Sequence, residues 1–219
     1  MSIGYILLAV ASILVLLGVG QRVLDKMQLT DRGALVIIAA IFVGGLLPNV
    51  ELGQVSLNIG GAVVPLGVSV YLLIRTDTSR EFWRAVIGSL ITAGLVLALG
   101  RVLPDEPESM AVDPNYIYGL AGGAVAYLLG RSRRAAFICG VTGVLLADTA
   151  VALVNWAGGV GQRLVLGGAG LMDVTVISGF TAVLLSELVG EVIERGVRAN
   201  RRENSDPVDT PVRRKEKAR

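Results

Sequence analysis

The chain of 219 residues contains no histidine and a single cysteine, Cys139. The absence of histidine excludes imidazole general bases, histidine metal ligands and histidine proton relays. One cysteine excludes an internal disulfide and a cysteine-based metal cluster. We therefore expect no metal centre and no cofactor. We interpret Cys139 as a small buried hydrophobe, because it lies inside an apolar run.

Charged residues are also scarce. They make up 17% of the chain, whereas hydrophobic residues make up 53% and the mean hydropathy is +0.66. A soluble domain of this length has too much surface to carry that balance. The composition therefore predicts a multi-pass protein of the cell membrane. Its expected partner is the lipid bilayer. The net charge of +2 gives no reason to expect a nucleic-acid partner.

Apolar runs separated by charged residues predict an all-α bundle of about seven transmembrane helices. A full crossing needs ~20 apolar residues, and tilt or backbone buried in protein accommodates the shorter runs. The first run lacks a preceding basic residue, which favours a retained helix over a secretory signal. The predicted spans are Ile3–Gly18, Gly33–Leu47, Gly60–Ile74, Phe82–Leu103, Tyr116–Gly130, Ala135–Trp156 and Leu166–Val189.

Basic residues occupy alternate loops and the C-terminal tail, which predicts the orientation. Cytoplasmic loops of membrane proteins are enriched in Lys and Arg. The loop at residues 104–115 instead carries four acidic residues. We therefore expect the N-terminus outside, the bundle over residues 1–198, and a disordered basic cytoplasmic tail over residues 199–219. The basic loop residues are Arg22, Lys26, Arg32, Arg75, Arg80, Arg84, Arg131, Arg133 and Arg134.

Two glycine-rich segments, Gly53–Ala62 and Gly161–Ala169, resemble each other. Each begins with Gly-Gln, ends with Gly-Gly-Ala and precedes a predicted span, the third and the seventh respectively. Spans one to three would then correspond to spans five to seven as possible parallel three-helix repeats, with the fourth span as a linker. A separate pattern, Gly119-x-x-x-Gly123, predicts a close helix crossing.

Two carboxylates, Asp148 and Asp173, fall inside predicted spans. A charged residue at the centre of a membrane helix costs ~2.5–3.5 kcal/mol on insertion scales, so such residues face the bundle interior. At 1.5 Å rise per residue, Asp148 lies ~12 Å below the outer end of span six and Asp173 ~10 Å into span seven. The two carboxyls could therefore meet, and one of them should then keep a proton.

A structural role is the alternative for both aspartates. Either side chain could bond a nearby polar group or a free carbonyl, and an Asp near the start of span seven would be stabilised by the helix dipole. The candidate partners are Thr149, Asn155, Arg163, Thr175 and Ser178.

Several motifs carry a resemblance to known families: Tyr118-Gly-Leu-Ala-Gly-Gly, Leu129-Gly-Arg-Ser-Arg-Arg-Ala-Ala-Phe, Leu145-Leu-Ala-Asp and Gly167-Gly-Ala-Gly-Leu-Met-Asp. Over most of residues 30–195 the chain resembles a family of uncharacterised multi-pass membrane proteins of bacteria and archaea. That resemblance implies a membrane location and no particular activity. The aspartates partly resemble those of the Gly-x-Gly-Asp intramembrane aspartyl proteases, although Met172 replaces the second Gly and no Tyr precedes Asp148.

Three function classes follow from these residues. The first is ion-coupled transport, in which Asp148 and Asp173 act as intramembrane carboxylates for a small ion. The alternative is an intramembrane aspartyl protease, in which the same two residues form a catalytic dyad that acts on a peptide substrate. The third is a membrane scaffold without chemistry.

Overall fold

The computed structural model describes residues 31–102, 114–130 and 132–203. In these ranges the chain is mostly helical and contains six α-helices and one small sheet. The predicted first span, most of the acidic loop and the end of the basic tail lie outside the described residues. The helices are α1 (Asp31–Leu46), α2 (Val64–Ile74), α3 (Ser79–Val102), α4 (Pro114–Gly130), α5 (Arg133–Ala157) and α6 (Val174–Glu203).

Two of the helices, α3 and α5, are long and apolar enough to cross a membrane. Four other apolar helical stretches are shorter, at 10–17 residues. Each of the six predicted spans from the second to the seventh overlaps one of the helices. The count of seven spans and their orientation stay predictions.

Helix α5 lies at the centre of the bundle, where it packs against α2, α3 and α4. Small residues allow these close contacts. A Cβ atom added at Gly143 would lie 2.7 Å from the Thr92 side chain of α3, and one added at Gly140 would lie 2.9 Å from the Ser178 carbonyl oxygen of α6. Cys139 is fully buried, and its thiol donates to the Ala85 carbonyl at 3.4 Å. It is therefore a small core residue.

Helices α4 and α6 also meet through glycine. A Cβ atom at Gly119 would lie 2.6 Å from Ile177 Cγ2, and one at Gly123 would lie 2.6 Å from Thr181 Cβ. The backbone of α4 therefore approaches α6 directly, which is the close crossing that the Gly119-x-x-x-Gly123 pattern predicts.

Small residues, mainly Ala and Gly together with Ser and Thr, fill most of the buried positions of the bundle. Large apolar side chains occur both in the core, as at Leu72, Phe137 and Ile138, and on the surface. Exposed on five of the helices, with more than half of their surface accessible, are Val36, Ile74, Leu90, Val102, Leu128 and Val154.

The small sheet has three strands in the order β1 (Val50–Leu52), β2 (Val55–Leu57) and β3 (Leu164–Leu166). Strands β1 and β2 form an antiparallel hairpin whose turn begins at Gly53, with a φ of 64°. The expectation of an all-α chain is wrong here, because the strands occupy segments between the predicted spans, or at the start of the seventh, where no strand was predicted. Strands of three residues carry too little alternation to be recognised from sequence.

The two similar glycine-rich segments contain β2 and β3, and these strands pair in parallel, with Val55 opposite Leu164. Beyond the strands the two Gly-Gly pairs touch. The backbone of Gly61 lies so close to Gly167 that a Cβ atom on either residue would overlap the other segment. Each strand leads through a short turn into a helix. A π-helical turn at Ile59–Val63 precedes α2, and a 3₁₀ turn at Gly170–Met172 precedes α6.

The predicted start of the seventh span, Leu166, is wrong by eight residues. Helix α6 begins only at Val174, because Gly167 and Gly170 adopt φ values of 69° and 59°. A right-handed helix cannot continue through such residues, which use the left-handed region that glycine tolerates. Asp173 therefore precedes the first residue of the helix rather than lying inside it.

By internal contacts the chain forms two compact units, residues 1–186 and 187–219. The first contains the bundle and the sheet. The described part of the second, residues 187–203, is the continuation of α6. Helix α6 therefore continues beyond Val189, the predicted end of the seventh span, and residues 204–219 of the predicted tail lie outside the described residues.

Candidate functional site

Asp148 lies in the second half of α5, on the side that faces the start of α6. Its side chain is half-buried and its charge interacts with that of Asp173. The hydroxyl of the neighbouring Thr149 does not donate to the Asp148 carboxyl, because this hydroxyl donates to the Leu145 carbonyl at 2.7 Å. No hydrogen bond to the Asp148 carboxyl is present within the described residues, so this carboxyl is available to a ligand.

Asp173 caps the N-terminus of α6. Its Oδ1 accepts the backbone N–H of Thr175 at 2.9 Å, its Oδ2 accepts that of Ala169 at 3.4 Å, and its carbonyl accepts that of Ile177 at 3.0 Å. An acceptor before the first helical residue satisfies an N–H group that has no partner inside the helix. The positive end of the helix dipole also favours a carboxylate there.

The structure thus brings together the two aspartates that the sequence singled out. Asp148 and Asp173 come from different elements, 25 positions apart in the chain, and are close enough for their charges to interact. Their carboxyl groups are not hydrogen-bonded to each other. Whether the pair performs chemistry stays a prediction.

Of the other expected partners, Thr175 alone bonds an aspartate, through its backbone. Arg163 instead pairs with Glu51 at 3.4 Å, and the amide of Asn155 donates to Gln162 Oε1. The hydroxyl of Ser178 is buried and accepts or donates no hydrogen bond within the described part of the chain.

A cavity of about 430 Å³ opens beside Asp148. Its walls are mainly valine, leucine and alanine side chains from α3 and α5, and Val174 at the start of α6 closes one side. Four polar side chains reach it: those of Asp148, Arg101, Tyr118 and Asn155. A mostly apolar pocket with a few convergent polar groups is the usual form of a small-ligand site.

Sequence reasoning missed Arg101 and Tyr118 as site residues. Tyr118 falls near the start of the predicted span Tyr116–Gly130, where aromatic rings are common as interface anchors, so the sequence gives no reason to assign it to a site. Only the packing of α3, α4 and α5 brings Arg101, from the end of α3, and Tyr118, from the start of α4, to the cavity that Asp148 lines.

The acidic residues do not form a multidentate metal site. Among the described residues, no group of three or more His, Cys, Asp or Glu side chains is close enough to hold a metal ion. The pair supplies two carboxylates, and further oxygen ligands would have to come from the backbone, from Tyr118 or from Asn155.

The described residues define a predominantly helical, strongly apolar protein with a pair of interacting carboxylates beside a cavity. Residues 21–185 match a family described as "Protein of unknown function (DUF1614)", and the chain belongs to that family. No curated protein and no solved structure matches the chain. The resemblance to an uncharacterised family is therefore confirmed. The resemblance to aspartyl proteases stays a prediction.

Proposed function

We propose that this chain is a polytopic membrane protein, with its N-terminus outside and its C-terminus in the cytoplasm, that binds and exchanges a small cation at Asp148 and Asp173. The membrane location is supported by the many large apolar side chains on the surface of the bundle. Large apolar side chains exposed over five helices would leave a soluble protein open to aggregation, whereas lipid covers them without cost. Two helices of spanning length, α3 and α5, agree with this location.

The single observation that carries the cation-binding role is the position of Asp148, whose half-buried side chain lines a mostly apolar cavity beside Val174, the residue that follows Asp173. Two neighbouring negative charges in such surroundings repel each other, and water is too sparse to screen them. A proton or a monovalent cation relieves the repulsion. The cation therefore occupies such a site when it is abundant and dissociates from it when it is scarce.

The cavity beside Asp148 supports exchange rather than permanent occupancy. It gives Asp148 an open side, whereas Asp173 has both carboxyl oxygens engaged by backbone N–H groups. In this proposal Asp173 is the fixed charge and Asp148 is the group that takes up and releases the cation. The donor set favours a proton or a monovalent ion, since a divalent ion prefers six or more oxygen ligands.

Intramembrane proteolysis is the second candidate, favoured by the same two acids with a cavity large enough for water between α3 and α5. In that mechanism one carboxylate activates a water molecule and the other, protonated, polarises the peptide carbonyl. It requires both carboxyls to reach one substrate atom, so that Asp173 would have to share an oxygen between Ala169 and the substrate.

The test measures thermal stability of the purified protein in lipid nanodiscs across a pH series and with added Na⁺, K⁺ or Li⁺. Wild type should be more stable at acidic pH. A proton bound to Asp148 contributes stability there, and that contribution is lost as the pH rises and both carboxyls become charged. One of the metal cations should restore stability at alkaline pH if the site accepts it.

Asp148→Asn and Asp173→Asn should each flatten the pH and cation responses, because Asn is nearly isosteric and removes one of the two charges. Glu51→Gln is the matched control. It removes an exposed carboxylate whose ion pair with Arg163 is worth little, so the responses should survive. Responses that persist unchanged in both aspartate variants would exclude the cation site. Cleavage of a membrane-segment peptide by wild type, abolished in both variants, would favour proteolysis.

A further inference from the structure

A second cavity, also of about 430 Å³, lies between α3 and α4, at the end of the bundle opposite to the aspartate cavity. One stripe of α3 forms most of its wall. Arg80, Trp83, Arg84 and Ile87 recur at the i, i+3, i+4 and i+7 positions of a single helix face. Gly88 and Leu129 form the floor.

Both arginines of this cavity are free of ion pairs within the described residues. Acidic groups stand nearby, but other partners engage them. Arg134 pairs with Asp77 at 2.5 Å and lies 3.9 Å from Glu81, which also accepts the Ser132 hydroxyl at 2.7 Å. Two exposed guanidinium groups one helical turn apart are thus left facing an apolar groove.

The groove itself suits an alkyl chain. Trp83 and Ile87 expose 59% and 52% of their surface, and Leu129 is half-buried. Gly88 presents no side chain to the groove and lets α3 pack closely on α5, where a Cβ atom would meet the Cys139 sulfur at 2.5 Å. A tryptophan beside the arginines is typical of the level at which lipid headgroups meet hydrocarbon.

We propose that this groove binds a single anionic phospholipid, with its phosphate between Arg80 and Arg84 and an acyl chain along Ile87, Gly88 and Leu129. Guanidinium groups bind phosphate oxygens through paired, charge-assisted hydrogen bonds. The apolar floor would not be needed for a free phosphate ion, and this argues for the lipid. The inference rests on the proposed membrane location but not on the chemistry of the aspartates.

The test compares wild type in nanodiscs of phosphatidylcholine alone with nanodiscs that also contain phosphatidylglycerol. Lipid retained after delipidation is identified by native mass spectrometry, and thermal stability is recorded in parallel. Wild type should retain phosphatidylglycerol and gain stability from it. The double variant Arg80→Gln/Arg84→Gln should bind it roughly thirtyfold more weakly, since each arginine near an anionic headgroup contributes a factor of about five.

The matched control is Arg32→Gln/Arg75→Gln, which removes the same charge from exposed arginines outside the groove and should leave lipid retention unchanged. Arg80→Lys/Arg84→Lys keeps the charge, so it reports whether the guanidinium geometry matters beyond charge. An equal loss of lipid retention in the control variant would mean that general surface charge explains the binding, and it would contradict a site at Arg80 and Arg84. Stabilisation by inorganic phosphate alone, to the same extent as by lipid, would replace the lipid with an anion.

Failure of this inference and failure of the proposed location give different results. A protein that stays soluble without detergent contradicts the membrane location itself. A protein that requires detergent but shows no preference for phosphatidylglycerol contradicts the lipid site alone.

Discussion

At the scale of single residues, Asp173 combines two roles that separate substitutions can distinguish. Its carboxylate caps α6 through the Thr175 N–H, and its charge interacts with that of Asp148. Asparagine preserves the first role and removes the second, whereas alanine removes both.

We predict that Asp173→Ala lowers the free energy of unfolding by about 1 kcal/mol, the usual cost of losing a helix cap, whereas Asp173→Asn changes it by much less. Reversible unfolding of both variants in mild detergent, monitored by circular dichroism, measures the difference. Equal stability of the two variants would mean that the hydrogen bond to Thr175 does not support α6.

The sequence was sufficient to single out both aspartates, because acidic residues inside apolar runs are rare and costly. It was insufficient to find what surrounds them. Arg101 and Tyr118 come from the ends of two helices, and their approach to Asp148 depends on how α3, α4 and α5 pack. Packing of that kind leaves no local pattern in the chain.

At the scale of elements, helices were predictable and strands were not. Long apolar runs mark helices α3 and α5 to within a few residues. Strands β2 and β3 were visible only as two similar segments, since three residues show no usable periodicity. The predicted start of α6 is wrong because Gly167 and Gly170 lie in an apolar run of the sequence, whereas their positive φ values are incompatible with a right-handed helix.

The contact between Gly61 and Gly167 gives a sharp prediction for these elements. Gly61→Ala should destabilise the protein by about 3 kcal/mol, since a Cβ atom there overlaps the carbonyl of Gly167 and neither backbone can move away easily. Thermal or denaturant unfolding of the variant measures this cost.

Gly67→Ala in α2 is the matched control, because a Cβ atom there meets nothing within 4 Å. Alanine in an open helical position should raise stability by roughly 0.5–1 kcal/mol. A Gly61→Ala variant as stable as wild type would show that the two Gly-Gly segments are not in contact.

At the scale of the whole molecule, the distribution of charge predicts the topology. Reporter fusions at residues 78 and 132 and at the C-terminus should indicate the cytoplasm, because these positions adjoin basic loops or the basic tail. Fusions at the N-terminus and at residue 107, in the acidic loop, should indicate the outside. A cytoplasmic signal at residue 107 would contradict the seven-span arrangement.

The parallel pairing of β2 with β3 also sets an order of events during synthesis. Val55 cannot pair with Leu164 until the ribosome has added more than a hundred further residues. The edge of β2 that pairs with β3 therefore stays unpaired while α2, α3, α4 and α5 are synthesised. At 5–20 residues per second that wait lasts roughly 5–20 s. During this interval the unpaired backbone groups of β2 need water or a chaperone, which places the nascent hairpin at an aqueous edge rather than in hydrocarbon. A chain arrested before residue 164 should therefore stay sensitive to protease at residues 50–57 and become protected only when β3 emerges.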